Sequence, residues 1–170
     1  MKPLIMSALL LLTGCAAQMS SPSPALDANQ VVYIMPFNNQ STTPMAQAQA
    51  EQLLASVLAD AGIKVELYPK NNVSDLQASL EPQQRQAPAE QWLASRQPGY
   101  VISGVVQEWQ YKYGLDGEPA IGVTLQLSDT NGTTLWRGSA ARSGWGRESL
   151  SQLALKTFAE LSLEEKARIS

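Results

Sequence analysis

Apolar and polar positions alternate with two distinct periods along this chain, and the switches between them mark out the elements. Val31 to Phe37 (VVYIMPF) is a continuous apolar run of strand length, the pattern of a buried strand. A polar loop, Asn38 to Thr43, follows. Thr43-Pro44 reads as a helix start, with a hydroxyl N-cap and proline at the first helical position. Leu53, Leu54, Val57, Leu58 and Ala61 recur at the helical period, and Gly62 is placed to stop the helix. Ile63 to Leu67 is a second strand, so this first part predicts a βαβ unit with parallel strands.

Pro69 to Pro88 is rich in Gln, Asn and Pro and predicts no more than a helical turn around Val73 to Leu80. Pro88-Ala89-Glu90 opens a short helix carrying Trp92 and Leu93, which Pro98-Gly99 ends. Three strands follow. Tyr100 to Tyr113 is long. Ala120 to Ser128 alternates cleanly, with Ile121, Val123, Leu125 and Leu127 on one face and Gly122, Thr124, Gln126 and Ser128 on a face that can stay wet or meet a partner. Asn131-Gly132 is a hairpin signal and leads into Thr133 to Arg142. After the loop Ser143 to Arg147 (SGWGR), Leu150, Leu153, Ala154, Thr157, Phe158 and Leu161 place one face of a last helix, about Glu148 to Leu163, on the sheet. The expected fold is an α/β sandwich with a mixed sheet, a βαβ unit followed by an antiparallel meander, and helices packed mainly on one side.

The N-terminus changes the picture of where such a domain works. Lys2 precedes an apolar run, Leu4 to Leu12, that is too short to span a bilayer and fits the core of a secretory signal. The run ends in Leu12-Thr13-Gly14-Cys15, which resembles the bacterial lipobox, and Cys15 is the only cysteine of the chain. The expected organisation is a signal peptide over residues 1–14, a lipidated Cys15 with a flexible tether over 15–29, and a single α/β domain over 30–170. The tether is Ser- and Pro-rich (Ser20-Ser21-Pro22-Ser23-Pro24) and has too little apolar surface to fold alone. Ala16 after the cysteine, in place of Asp, implies sorting to the outer membrane, lipid-anchored at its periplasmic face.

Charge and chemistry narrow the function. The chain carries 12 basic and 15 acidic residues, and loss of Lys2 with the signal makes it one unit more negative than −3. This gives no electrostatic footprint for nucleic acid, whereas a cation could be attracted. There is no histidine, which excludes His-based triads and His metal sites. With Cys15 acylated, no thiol remains for a disulfide, a zinc site or a nucleophile. No cofactor is expected beyond the covalent lipid. A glycosidase would need two carboxylates facing each other across a cleft, and the nearest acidic pair in the strand region, Asp116 and Glu118, falls in a turn.

The segments Trp109 to Pro119 (WQYKYGLDGEP), Leu135-Trp136 and Ser143 to Leu150 (SGWGRESL) resemble the PelC family, the outer-membrane lipoproteins of Pel exopolysaccharide export. The likeness covers roughly Val31 to Leu161. The earlier part, with Pro36-Phe37-Asn38, is shared in style with the TolB N-terminal domain, with CsgG and with lipoprotein activators of penicillin-binding proteins. The resemblance implies a non-catalytic export component. Its expected form is a ring of about a dozen subunits at the outer membrane, serving a β-barrel partner resembling PelB and guiding a cationic polysaccharide. An acidic surface of one sign would raise the local concentration of such a polymer.

On that reading Asp116 and Glu118 are the candidate polysaccharide-guiding acids, although Asp116-Gly117 is equally a turn pair selected for positive φ. Trp145, between two glycines, is the candidate membrane contact, with its indole at headgroup level and Arg142 and Arg147 beside lipid phosphates. Packing under the last helix or into a subunit contact is the other reading of Trp145, and solvation that of the arginines. Trp109, Trp136, Tyr111 and Tyr113 are expected in core or interface packing, with platforms for sugar stacking the lesser reading. Glu164-Glu165-Lys166 is expected as a solvated helix end. The alternative function is a monomeric periplasmic lipoprotein that activates a cell-wall synthase, for which the tether is short.

Overall fold

The computed structural model describes residues 17–20, 26–27, 29–69, 82–112 and 117–163. The signal peptide and Cys15, the turn expected near Val73 to Leu80, Tyr113, Asp116 and Glu164-Glu165-Lys166 lie outside the described residues.

The four residues of β2 (Val31–Ile34) explain the layering, because both faces of this strand are covered. Val32 and Ile34 point into the main core, while Tyr33 and the following Met35 point the other way. Around β2 the order is β1 (Ala17–Ser20), β3 (Asn38–Asn39), α1 (Ala46–Asp60), β4 (Lys64–Leu67), α2 (Pro82–Ala94), β5 (Tyr100–Lys112), β6 (Glu118–Asp129), β7 (Thr134–Ser143) and α3 (Leu150–Leu163). The seven strands form one mixed sheet in the order β1-β7-β6-β5-β2-β4, with β3 also on β5. β2 runs parallel to β4 and β5, the βαβ unit expected from the sequence, and β5, β6 and β7 form the antiparallel meander.

Helices α1 and α3 cover one face. Ile121, Val123, Leu125 and Leu127 of β6 are all buried there, against Leu54 and Leu58 of α1 and Leu153, Phe158 and Leu161 of α3. Helix α2 covers the opposite face of β2, where Ala89, Trp92 and Leu93 meet Met35, Val101 and Tyr68. The Trp92 ring meets Tyr33 and Tyr68 edge-on, each at 5.7 Å. The uncovered face of the meander carries a hydroxyl and amide row: Gln107 Nε2 donates to Thr124 Oγ1 at 2.7 Å, and the Thr124 and Ser139 hydroxyls lie 2.8 Å apart.

Four boundaries differ from the sequence reading, each for a local reason. First, α1 starts at Ala46, after Met45 with a left-handed φ of 61° and no side-chain cap. The Thr43 hydroxyl expected to cap it donates instead to the Trp109 carbonyl, tying the loop to β5. Second, Pro88 lies inside α2 rather than at its start, because α2 begins at Pro82, and the helix ends at Ala94, short of Pro98. Third, two residues of the expected polar loop, Asn38 and Asn39, pair with β5 as β3.

Fourth, the stretch read as a free tether contributes β1, which pairs antiparallel with β7 in the register Ala17↔Ala141 to Ser20↔Gly138. The physical reason is the otherwise unpaired edge of β7, whose backbone groups a short added strand satisfies. Farther along the same stretch, Leu26 packs on the main core and the Asp27 amide donates to the Tyr100 hydroxyl at 3.2 Å. Gly62, at φ 84°, stops α1 as expected, and the Ile63 amide donates back to the Leu58 carbonyl at 3.0 Å.

A buried ion pair joins the two helical layers. Glu51 of α1 takes the Phe37 amide on Oε1 at 2.7 Å, and its Oε2 lies 3.6 Å from Nη2 of Arg85 of α2. Arg85→Ala is expected to destabilise the fold by about 3–5 kcal/mol, because it leaves Glu51 buried without that counter-charge. The pair Glu51→Gln with Arg85→Met keeps an acceptor for Phe37 and is expected to cost less than Arg85→Ala alone. Urea unfolding of the three proteins checks this. Gly104 permits a close approach of a different kind, since a Cβ there would stand 2.8 Å from the buried Phe37 ring. Gly104→Ala is expected to cost about 1–3 kcal/mol by overpacking, read as a lower urea midpoint at unchanged slope.

Candidate functional site

Most of the residues singled out in the sequence gather at one end of the sheet. β5 leads up to this end, β6 leaves it, and β7 returns to it, as antiparallel pairing requires. The β5–β6 ladder continues to its last pair, Lys112↔Glu118, so Glu118 is exposed directly across from a lysine. That lysine also pairs with Glu108 on its own strand, Nζ to Oε1 at 3.5 Å. Glu118 therefore belongs to a small charged ladder, Glu108-Lys112-Glu118, in which one lysine partly offsets two carboxylates. Gly117, next to Asp116, has a positive φ of 56°, which accounts for glycine in the turn on steric grounds alone.

The β7–α3 loop is stapled to the same end. The Gly144 amide donates to the Pro119 carbonyl at 2.7 Å, and a Cβ on Gly144 would come within 2.5 Å of Glu148 Oε2 and 2.8 Å of Pro119 Cγ. Gly146 has φ 57°, and the Glu148 amide donates to the Trp145 carbonyl at 3.2 Å. A tightly turned, hydrogen-bonded loop results, and it holds Trp145 outward with 73% of the residue exposed. Trp145 thus lies neither under the last helix nor in the core.

Arg147 is exposed beside it. Arg142 is different: its Nη2 pairs with Glu160 Oε2 of α3, which commits the guanidinium to the body of the domain. The ladder and the indole loop share an end because Pro119, one residue from Glu118, carries the carbonyl that Gly144 binds.

Among the strand aromatics, Trp109 and Trp136 are buried, as the reading of core packing requires, and Trp109 Nε1 donates to Gln49 Oε1 of α1 at 3.0 Å. Tyr111 is not in the core. The residue is 48% exposed, and its hydroxyl accepts the Leu150 amide at the start of α3 at 3.1 Å. It lines an open cavity of about 530 Å³ with Thr42, Thr43, Gly117 and Leu150. Tyr111 follows Trp109 at a spacing of two on β5 and so shares its face, at the strand end where the first residue of α3 meets its hydroxyl.

The chemistry open to this end is electrostatic and interfacial. Glu118 sits on a strand face beside Lys112 rather than opposite another carboxylate across a cleft. Among the described residues no group of three or more Asp, Glu, His or Cys side chains could hold a metal ion. No helix among the described residues is long and apolar enough to cross a membrane.

No protein-family model matches the chain, and no curated protein does. Solved structures do match. The PelC dodecamer from Paraburkholderia phytofirmans is 33% identical, with a TM-score of 0.74 over 91% of this chain and 99% of that one. A point variant of the same dodecamer in another crystal form is 34% identical, with a TM-score of 0.70 over 89% of this chain and 98% of that one. Lipoprotein GNA1162 from Neisseria meningitidis shares the fold, at 23% identity and a TM-score of 0.53 over 85% of this chain and 99% of that one. With a third of its residues identical to PelC across nearly the whole of the PelC chain, and with the same α/β fold, this chain belongs to the PelC family.

Proposed function

We propose that this protein is a non-catalytic outer-membrane lipoprotein, anchored through a lipid on Cys15, that assembles as a ring and guides a cationic exopolysaccharide to a β-barrel partner. The observation that carries the reading is the likeness, along almost their full length, to chains that form dodecamers. In a closed ring any modest charge on one subunit is repeated around the axis, and a surface of one sign concentrates counter-ions near it. The ladder Glu108-Lys112-Glu118, with Asp116 next to Gly117, supplies that charge at the hairpin end. Trp145 and Arg147 at the same end fit contact with lipid, an indole at headgroup depth and a cation beside phosphates. Arg142, held by Glu160, contributes to the domain rather than to this surface.

The opposed charges of the ladder give a two-way test. The probe is soluble, partly deacetylated chitosan, a cationic aminosugar polymer, and the readout is its binding to the assembled protein at low salt. Asp116→Asn with Glu118→Gln is expected to weaken binding several-fold, and Lys112→Gln is expected to strengthen it. Both differences should collapse near 0.5 M salt, where the screening length falls to a few ångströms, about 4 Å. Binding that ignores both substitutions at low salt would contradict the guiding role of this hairpin.

A further inference from the structure

The position of β1 bears on how the lipid anchor meets the domain. Ala17–Ser20 has little intrinsic strand preference, yet it is laid antiparallel on β7. Its direction is informative. Going backward from Ala17 the chain heads toward Cys15, and going forward from the partner Ala141 it heads toward Trp145. Both paths lead to the same end of the sheet, and only Ala16 separates Cys15 from the strand.

We propose that β1 is a clamp that shortens the membrane leash. Docked on β7, it holds the acylated cysteine within roughly 7 Å of the sheet edge, the greatest reach of two residues. The whole stretch 15–29, as a free tether, would give an average span of roughly 20 Å. The difference decides orientation. On the long tether each subunit can stand off from the bilayer by that span, so Trp145 is not held against the headgroups. On the short leash the acyl chains enter the bilayer beside the Trp145 loop, so the indole and Arg147 face the headgroups. The hairpin with Glu118 stands next to the membrane. The clamp uses backbone pairing on an edge that would otherwise be open, so it also blocks strand addition there. This rests on the reading that Cys15 is lipidated.

The experiment uses the lipidated mature chain on vesicles of phosphatidylethanolamine and phosphatidylglycerol containing brominated acyl chains. The readout is quenching of Trp145, taken as the difference from Trp145→Phe. One flexible Gly/Ser insert is placed either between Ala16 and Ala17 or between Ser20 and Ser21. With the clamp, the insert before β1 lowers Trp145 quenching by about threefold or more, through the lower effective concentration at the bilayer. The insert after β1 leaves quenching unchanged. Equal losses from the two inserts, or no loss from either, would overturn the clamp.

A chain that does not float with the vesicles, or whose Trp145 is unquenched without any insert, would defeat the membrane reading instead. The clamp is then decided by Met19→Cys with Ser139→Cys, which are register partners. An intrachain disulfide supports it, because facing strand positions lie within disulfide reach. Absence of the bond, or a bond between two chains, overturns it.

Discussion

One buried carboxylate, that of Glu51, holds together parts of the chain that would otherwise separate. The chain leaves β2 at Met35 and must turn toward β3 through Phe37, whose amide would be buried without a strand partner. Glu51 of α1 accepts that amide and faces Arg85 of α2. The three contributors lie on one face of the sheet, at its centre and on the opposite face. Burying a carboxylate is costly unless it is both paired and hydrogen-bonded, and here it is both. The βαβ unit and the second helical layer are fixed relative to one another by this junction. The meander β5-β6-β7 then extends from β5 as a regular antiparallel ladder, and its far end carries the candidate site.

Much of this was legible in the residues because burial on a half-covered sheet leaves a period of two. Ile121 to Leu127 identified the core face of β6, Asn131-Gly132 identified the β6–β7 turn, and Gly62 identified the end of α1. Three features were not legible, and the causes are physical. β1 is held by backbone pairing, which leaves no hydrophobic pattern in Ala17–Ser20. The start of α1 depends on where the Thr43 hydroxyl is spent, and that is decided by the Trp109 carbonyl on a distant strand. Helix α2 extends back through Pro82, in a Gln- and Pro-rich stretch of low apolar content, because Arg85 finds Glu51. For the candidate site, the exposure of Trp145 was readable from its two glycines. The pairing of Arg142 with Glu160, the offsetting lysine opposite Glu118 and the half-exposure of Tyr111 arise from tertiary contacts.

The shared end of the sheet gives these observations a common sense. The Gly144–Pro119 hydrogen bond couples the indole loop to the hairpin, so the two cannot reorient independently. On the proposed function, a ring of such subunits would carry its acidic hairpins close to the loop that bears Trp145. On that proposal, a polymer would meet the carboxylates next to the barrel, where a low-dielectric surround makes each charge act farther than it would in open solvent.

All of this presupposes that the subunits close into a ring. The direct measurement is the solution mass of the signal-less domain, by light scattering across a range of concentrations and in a lipid-like detergent. One large species near a dozen subunits, with a mass that does not drift with dilution, is the expected result. A monomer under every condition would contradict it and would turn attention to a single-subunit interaction role, such as activation of a cell-wall synthase.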